Sequence, residues 1–171
     1  MRKQLHRLFS DSGAAISECR QFDFTSDDRF AASPDRIFQG GTCSTLVNLR
    51  TNEHIELRGN CLLEIKTRAE GQAEPLSSVT GAHVCQVQLQ LLCADGSHCI
   101  LQSYVPESSQ SKYFLITRDN SFIKSFLPMC TSVLSDPASL DFNALLGMRQ
   151  TANSLARTCP EIGFRANSGH A

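Results

Sequence analysis

The chain has 171 residues, 41% of them apolar and 19% charged, with a formal net charge of −1. That length and composition give one folded domain with a real core and exclude a disordered chain. A charge near zero argues against a protein that coats nucleic acid nonspecifically, and it leaves room for a local basic groove.

No apolar run approaches the ~20 residues of a membrane span. The basic start Met1-Arg2-Lys3-Gln4-Leu5-His6-Arg7 is followed by no long apolar core and no small-residue cleavage site, so it is not read as a signal peptide. Residues 2–10 read as the end of a short helix, stopped by Ser10-Asp11-Ser12-Gly13. Residues 14–24 alternate as a strand, 25–28 form a polar turn, and 29–33 make a short strand leading to Pro34-Asp35. Residues 46–50 and 53–57 around Thr51-Asn52 read as a hairpin. A strand follows at 61–67, then a polar loop at 68–75. Residues 76–94 are the strongest helix, with Val84, Val87 and Leu91 on its apolar side, Leu89 and Leu92 extending it, and Asp95-Gly96 as its stop. Two strands at 98–105 and 112–117 flank a polar loop, and helices are expected at 120–134 and 138–157. The expected organisation is a single domain over 1–160 with a frayed tail at 161–171, and the order of elements indicates a mixed α/β fold.

Eight cysteines are scattered singly, with no C-x-x-C pair. That spacing speaks against a zinc site and does not supply the four clustered thiolates of an iron–sulfur centre. Cys61, Cys85, Cys93 and Cys99 fall in apolar runs and read as small core residues. Reduced thiols in an intracellular compartment are the default expectation, cytoplasm or nucleus, with an organelle left open by the short basic start.

The chemistry concentrates at Cys61-Leu62-Leu63-Glu64-Ile65-Lys66-Thr67. Strand alternation puts Glu64 and Lys66 on one face and Leu63 and Ile65 on the other. Charge in a buried strand is costly unless it is paired or holds a metal. Asp35 upstream and Glu64 supply the one or two carboxylates that Mg²⁺ takes, and the Ile65 backbone carbonyl is a third oxygen. Lys66 is placed to orient or deprotonate a water, or to stabilise charge on a phosphate. His83, Gln86 and Gln90 form a polar strip on the helix, from which Gln86 reaches the water or Lys66. Taken one at a time, each feature has an ordinary reading. Glu-x-Lys is commonly a solvated pair, Ser-Pro-Asp a turn, and the strip a hydrogen-bonded half-buried face. Their joint order is what points to metal-assisted phosphodiester hydrolysis.

Ser33-Pro34-Asp35, Leu62-Leu63-Glu64-Ile65-Lys66 and His83-Val84-Cys85-Gln86-Val87-Gln88 resemble the PD-(D/E)XK nuclease superfamily. More narrowly they resemble the YqaJ-like viral recombinase (phage lambda exonuclease) family, over roughly residues 5–130. The resemblance implies a restriction-endonuclease-like fold, a mixed central sheet flanked by helices. It implies Mg²⁺ or Mn²⁺ on Asp35 and Glu64, Lys66 as the catalytic lysine, and Gln86 as the helix glutamine of the site. It also implies 5′-to-3′ digestion of one strand at duplex DNA ends, a single-strand-annealing partner protein and a homo-oligomer.

Three departures from the family pattern stand out. Arg36 occupies the position of a glycine after the Asp, where its guanidinium would meet a phosphate. The Asp35-to-Glu64 interval is longer, with the hairpin 44–58 filling it as a surface insertion. The family's N-terminal helical region, with its phosphate-binding Arg and extra acid, is expected to be missing, and Glu18 lies too late to replace the acid. Two further readings stay open: a catalytically degenerate nuclease fold that binds nucleic acid or protein, and an endonuclease of the same superfamily. Arg36, Arg68, His83 and Gln90 are candidate substrate contacts. Lys112, Arg118 and Lys124 are candidate backbone contacts, with a solvated surface as the ordinary role for each.

Overall fold

The computed structural model describes residues 15–18, 21–24, 29–39, 43–139 and 141–164. In chain order it contains strands β1 (Ala15–Glu18), β2 (Phe22–Asp23), β3 (Ala31–Ala32), β4 (Arg36–Gln39), β5 (Cys43–Asn48), β6 (His54–Leu57) and β7 (Cys61–Thr67). Helix α1 (Gly81–Cys93) comes next, followed by strands β8 (His98–Val105) and β9 (Gln110–Thr117). Helices α2 (Asn120–Ser135) and α3 (Phe142–Thr158), joined by a 3-10 turn (Pro137–Ser139), precede strand β10 (Glu161–Phe164).

Eight strands among the described residues form one sheet in the order β1-β4-β7-β8-β9-β10-β5-β6, and β2 and β3 form a small separate ladder. Among the described strands only β7 and β8 are parallel, with Glu64 opposite Leu101 and Lys66 opposite Ser103. The other pairs are antiparallel. Parallel neighbours need a crossover, and α1 supplies it. The fold is therefore mixed α/β, a central mixed sheet with helices packed on it, as the motif order implies.

Alternation along β7 divides its side chains between two cores. Leu62 joins Val84, Val87 and Leu91 of α1, Leu101, Phe114, Phe122 of α2, and Ala152 and Ala156 of α3. Cys61 and Leu63 face the other way, with Phe38, Leu46, Leu57, Ile100, Leu115 and Ile162. Glu64 and Lys66 lie on the face that α1 covers. The N-terminus of α1 runs close to α3. A Cβ on Gly81 would sit 2.5 Å from Asn153 Oδ1 and 3.1 Å from the Asn153 backbone nitrogen, so only glycine fits there without displacement.

Several sequence expectations change. The single strand expected over 14–24 contains two short ones, because β1 pairs with β4 while β2 turns away to pair with β3. Helix α1 begins at Gly81 rather than 76, because Thr80 caps it and Leu76 donates its N–H to Ser103 Oγ instead. Residues 161–164, expected to fray, form β10 between β9 and β5. Ile162 is 1% exposed there, so a single buried apolar side chain anchors a strand too short to be read from its pattern. The hairpin of β5 and β6 continues the main sheet through β10. The expected helix at 2–10 and the remainder of the tail at 165–171 lie outside the described residues. No helix among the described residues is long and apolar enough to cross a membrane.

Candidate active site

Three elements meet at Glu64. Strand β7 presents Glu64 and Lys66 on one face. Helix α1 crosses that face and turns Gln86 and Gln90 toward it, since residues four apart stand one above the other on a helix. The turn before β4 brings Asp35 alongside.

Glu64 is 6% exposed, and nitrogen donors meet both of its carboxylate oxygens. Lys66 Nζ and Gln86 Nε2 each donate to Oε1 at 2.7 Å. Gln90 Nε2 donates to Oε2 at 2.7 Å. Lys66 Nζ also donates to Gln86 Oε1 at 2.7 Å. Glu64, Lys66 and Gln86 thus close a triangle in which every side is a hydrogen bond. Such pairing is what makes a carboxylate tolerable at this depth.

Asp35 is exposed, and its Oδ2 accepts the Ile65 N–H at 2.6 Å. Strand β4 starts at Arg36, whose Cα partner is Leu63, so beyond Leu63 the Asp35 side chain takes over from a neighbouring strand. In a strand the N–H and C=O of one residue leave the same edge. The Ile65 carbonyl therefore points to the edge where Asp35 sits.

The remaining site residues divide by what they already hold. Arg36 Nη1 donates to the Asp35 carbonyl at 2.6 Å. Among the described residues the non-glycine positions with positive φ are Asn52, Asp95 and Ser109, so the backbone at Arg36 is not one that calls for glycine. Arg68 Nε donates to the Glu74 carbonyl at 3.2 Å. His83 occupies the third position of α1 in a capping box with Thr80: its N–H donates to Thr80 Oγ1, and its Nδ1 accepts the Thr80 N–H at 3.3 Å. That leaves Nε2 as the protonated ring nitrogen. Burial pushes the His83 imidazole below the usual histidine range. The charge of Lys66 and, less strongly, of Arg68 acts the same way, and Glu64 opposes them. Gln90 is 4% exposed, with its amide on Glu64.

Two candidates for DNA backbone contacts are held within the fold. Arg118 bonds Asp95 at 3.0 Å and Asn120 at 2.9 Å. Lys112 pairs with Glu161 at 3.3 Å. Lys124 is exposed on α2.

Two of the supports around the site were not apparent from sequence. Gln88, 1% exposed, donates to the Thr117 carbonyl and accepts the Asp119 N–H, both at 2.8 Å. It fastens the end of β9 and the start of α2 to the helix that carries Gln86 and Gln90. The alternating Gln-Val-Gln-Leu-Gln run was the available signal. Ser103, fully buried opposite Lys66, accepts the Leu76 N–H and anchors the loop entering α1. No sequence pattern marks it.

The donor set suits a hard divalent cation. Among the described residues no three His, Cys, Asp or Glu side chains converge. The oxygens at this place are the Asp35 and Glu64 carboxylates and the Ile65 carbonyl. That is the share Mg²⁺ takes from protein when water and phosphate complete its shell.

Comparisons with known proteins add the following. Two solved structures of the alkaline exonuclease LHK-Exo from Laribacter hongkongensis are similar to this chain. The first gives a TM-score of 0.49 and the second, in complex with dAMP, 0.47; each is 20% identical and is matched over 91% of this chain and 68% of its own. No family model matches the sequence, and no curated protein matches it. At this overlap and identity the likeness carries no argument about activity, so the functional reading rests on the side chains.

Proposed function

We propose that this chain is a nuclease domain that hydrolyses DNA phosphodiester bonds with Mg²⁺ or Mn²⁺ held by Asp35, Glu64 and the Ile65 carbonyl. The observation that carries this reading is the Glu64–Lys66–Gln86 triangle, with Asp35 bonded to the backbone one residue from Glu64. When bound, the cation supplies positive charge to a phosphate oxygen and makes a water easier to deprotonate.

The protein's part follows from the geometry. Lys66 Nζ, held between Glu64 Oε1 and Gln86 Oε1, places a donor beside the carboxylate proposed to hold the cation. The Gln86 amide donates to Glu64 and accepts from Lys66, so it locks both side chains and leaves Lys66 a third N–H for a water or a phosphate oxygen. Arg36, Arg68 and the His83 Nε2–H are donors around the same end of β7 and serve as contacts to the DNA backbone.

At a finer level we read the activity as 5′-to-3′ exonucleolytic, of the viral recombinase type. It would act at duplex ends, with a single-strand-annealing protein as partner and a homo-oligomer as the assembly. The motif resemblance alone supports this finer reading. A binding module on a degenerate nuclease fold is favoured by one observation: nitrogen donors already meet both oxygens of Glu64.

The test is digestion of end-labelled linear duplex DNA with Mg²⁺ or Mn²⁺, beside covalently closed circles, using wild type, Lys66→Ala and Glu64→Ala. Metal-dependent release of label that both substitutions abolish, with circles intact, is the expected result. Cutting of circles makes the protein an endonuclease. Binding without cleavage by folded wild type leaves the degenerate module.

A further inference from the structure

Gln90 stands where an apolar side chain would pack. It lies on the buried side of α1 beside Leu91, is 4% exposed, and its Oε1 has no hydrogen-bond partner among the described residues. Burying an amide oxygen without a donor is costly. The other end of the same amide explains why the cost is borne, because Nε2 donates to Glu64 Oε2 at 2.7 Å. Turning the amide over would set Oε1 against a carboxylate oxygen, so Glu64 dictates its orientation.

Gln86 and Gln90 lie one helical turn apart and take different oxygens of the same carboxylate, Oε1 and Oε2. Two points of attachment on one rigid helix fix the carboxylate plane. Lys66 also bonds Oε1. Without Gln90, no donor among the described residues meets Oε2 to oppose rotation of the carboxylate toward Lys66 into a two-oxygen ion pair.

We propose that Gln90 is a positioning residue. It holds Glu64 Oε2 away from Lys66, so that the carboxylate stays presented to the divalent cation rather than closing on the lysine. This rests on the reading of Asp35 and Glu64 as the cation's ligands. It gives Gln90 a role apart from substrate contact, to which its depth is unsuited.

The experiment measures Mn²⁺ binding without DNA, by isothermal titration calorimetry, on wild type, Glu64→Ala, Gln90→Met and Gln90→Asn. Circular dichroism verifies folding, and steady-state kinetics on linear duplex DNA follows. Gln90→Met removes both polar ends at similar length, and Gln90→Asn keeps the amide but withdraws it, so either variant reads the contact if the other fails to fold. The expected result is Mn²⁺ affinity weakened by about tenfold or more in the Gln90 variants, within the range for partners that orient a metal ligand. The kcat should fall with KM for DNA little changed. Wild-type affinity in folded Gln90 variants, with binding lost in Glu64→Ala, overturns the positioning role and leaves the nuclease reading standing. Absence of Mn²⁺ binding in wild type overturns both.

Discussion

At the scale of single residues, the site is governed by the burial of Glu64. Three nitrogens meet its two oxygens; removing Lys66 takes the donor from Gln86 Oε1, and removing Gln90 takes the donor from Glu64 Oε2. Lys66→Met deletes the cationic one. Its expected cost is about 1–3 kcal/mol at neutral pH, the range for stranding a buried polar group. Urea unfolding measures it, and the double variant Lys66→Met/Glu64→Gln should recover most of the loss, because the buried charge leaves with its partner. Equal losses in the single and double variants would mean that the loss does not come from the stranded Glu64 charge. Glu64 and Lys66 were legible in the sequence because two charges broke an apolar strand at a spacing of two. The bond from Ile65 N–H to Asp35 was not, since it depends on where β4 begins, and Arg-Ile-Phe-Gln is too short a run to show that.

At the scale of elements, α1 decides whether the site assembles. Its apolar stripe of Val84, Val87 and Leu91 was readable, and all three are fully buried. Its start was not readable, because a histidine does the work usually done by Glu or Gln in a capping box. This gives the helix a pH dependence. The His83 pKa in the fold lies below its unfolded value of about 6.5, so the unfolded chain binds the extra proton first. The stabilisation is present above pH 6.5 and is lost as pH falls through the lowered value. His98, also lowered by burial, contributes in the same direction. His83→Gln keeps an acceptor for the Thr80 N–H and cannot titrate, so its thermal midpoint should fall less than wild type's between pH 7 and pH 5. Parallel decline of the two proteins would contradict this. The contact of α1 with α3 was equally hidden, because Gly81 looks like an ordinary loop glycine until Asn153 is seen beside it. Gly81→Ala should destabilise the protein despite alanine's better helix propensity, as differential scanning calorimetry would detect.

At the scale of the whole molecule, one sheet carries two cores. The core beneath the helices positions the site, and the opposite one joins β7 and β8 to the hairpin of β5 and β6. Strand β10 makes that junction, pairing with β9 on one side and β5 on the other. The mixed α/β class was legible from the alternation of strands and helices. The eight-strand order was not, because β10 returns from the end of the described chain to pair with a hairpin more than a hundred residues earlier. Ile162→Ala tests this arrangement. Emptying a fully packed site should cost about 2–5 kcal/mol by chemical denaturation, whereas a frayed tail would show no change.

The central claim is that Asp35, Glu64, Lys66 and Gln86 work as one hydrolytic site. Single-turnover cleavage of linear duplex DNA in Mn²⁺ tests it most directly, using wild type, the four alanine variants and the Lys66→Ala/Gln86→Ala double variant. Groups that act as a unit are strongly non-additive. Each single substitution should slow cleavage by about 10²-fold or more, and the double variant should be hardly slower than Lys66→Ala alone. No cleavage by folded wild type, or independent and multiplicative losses for Lys66 and Gln86, would contradict the account.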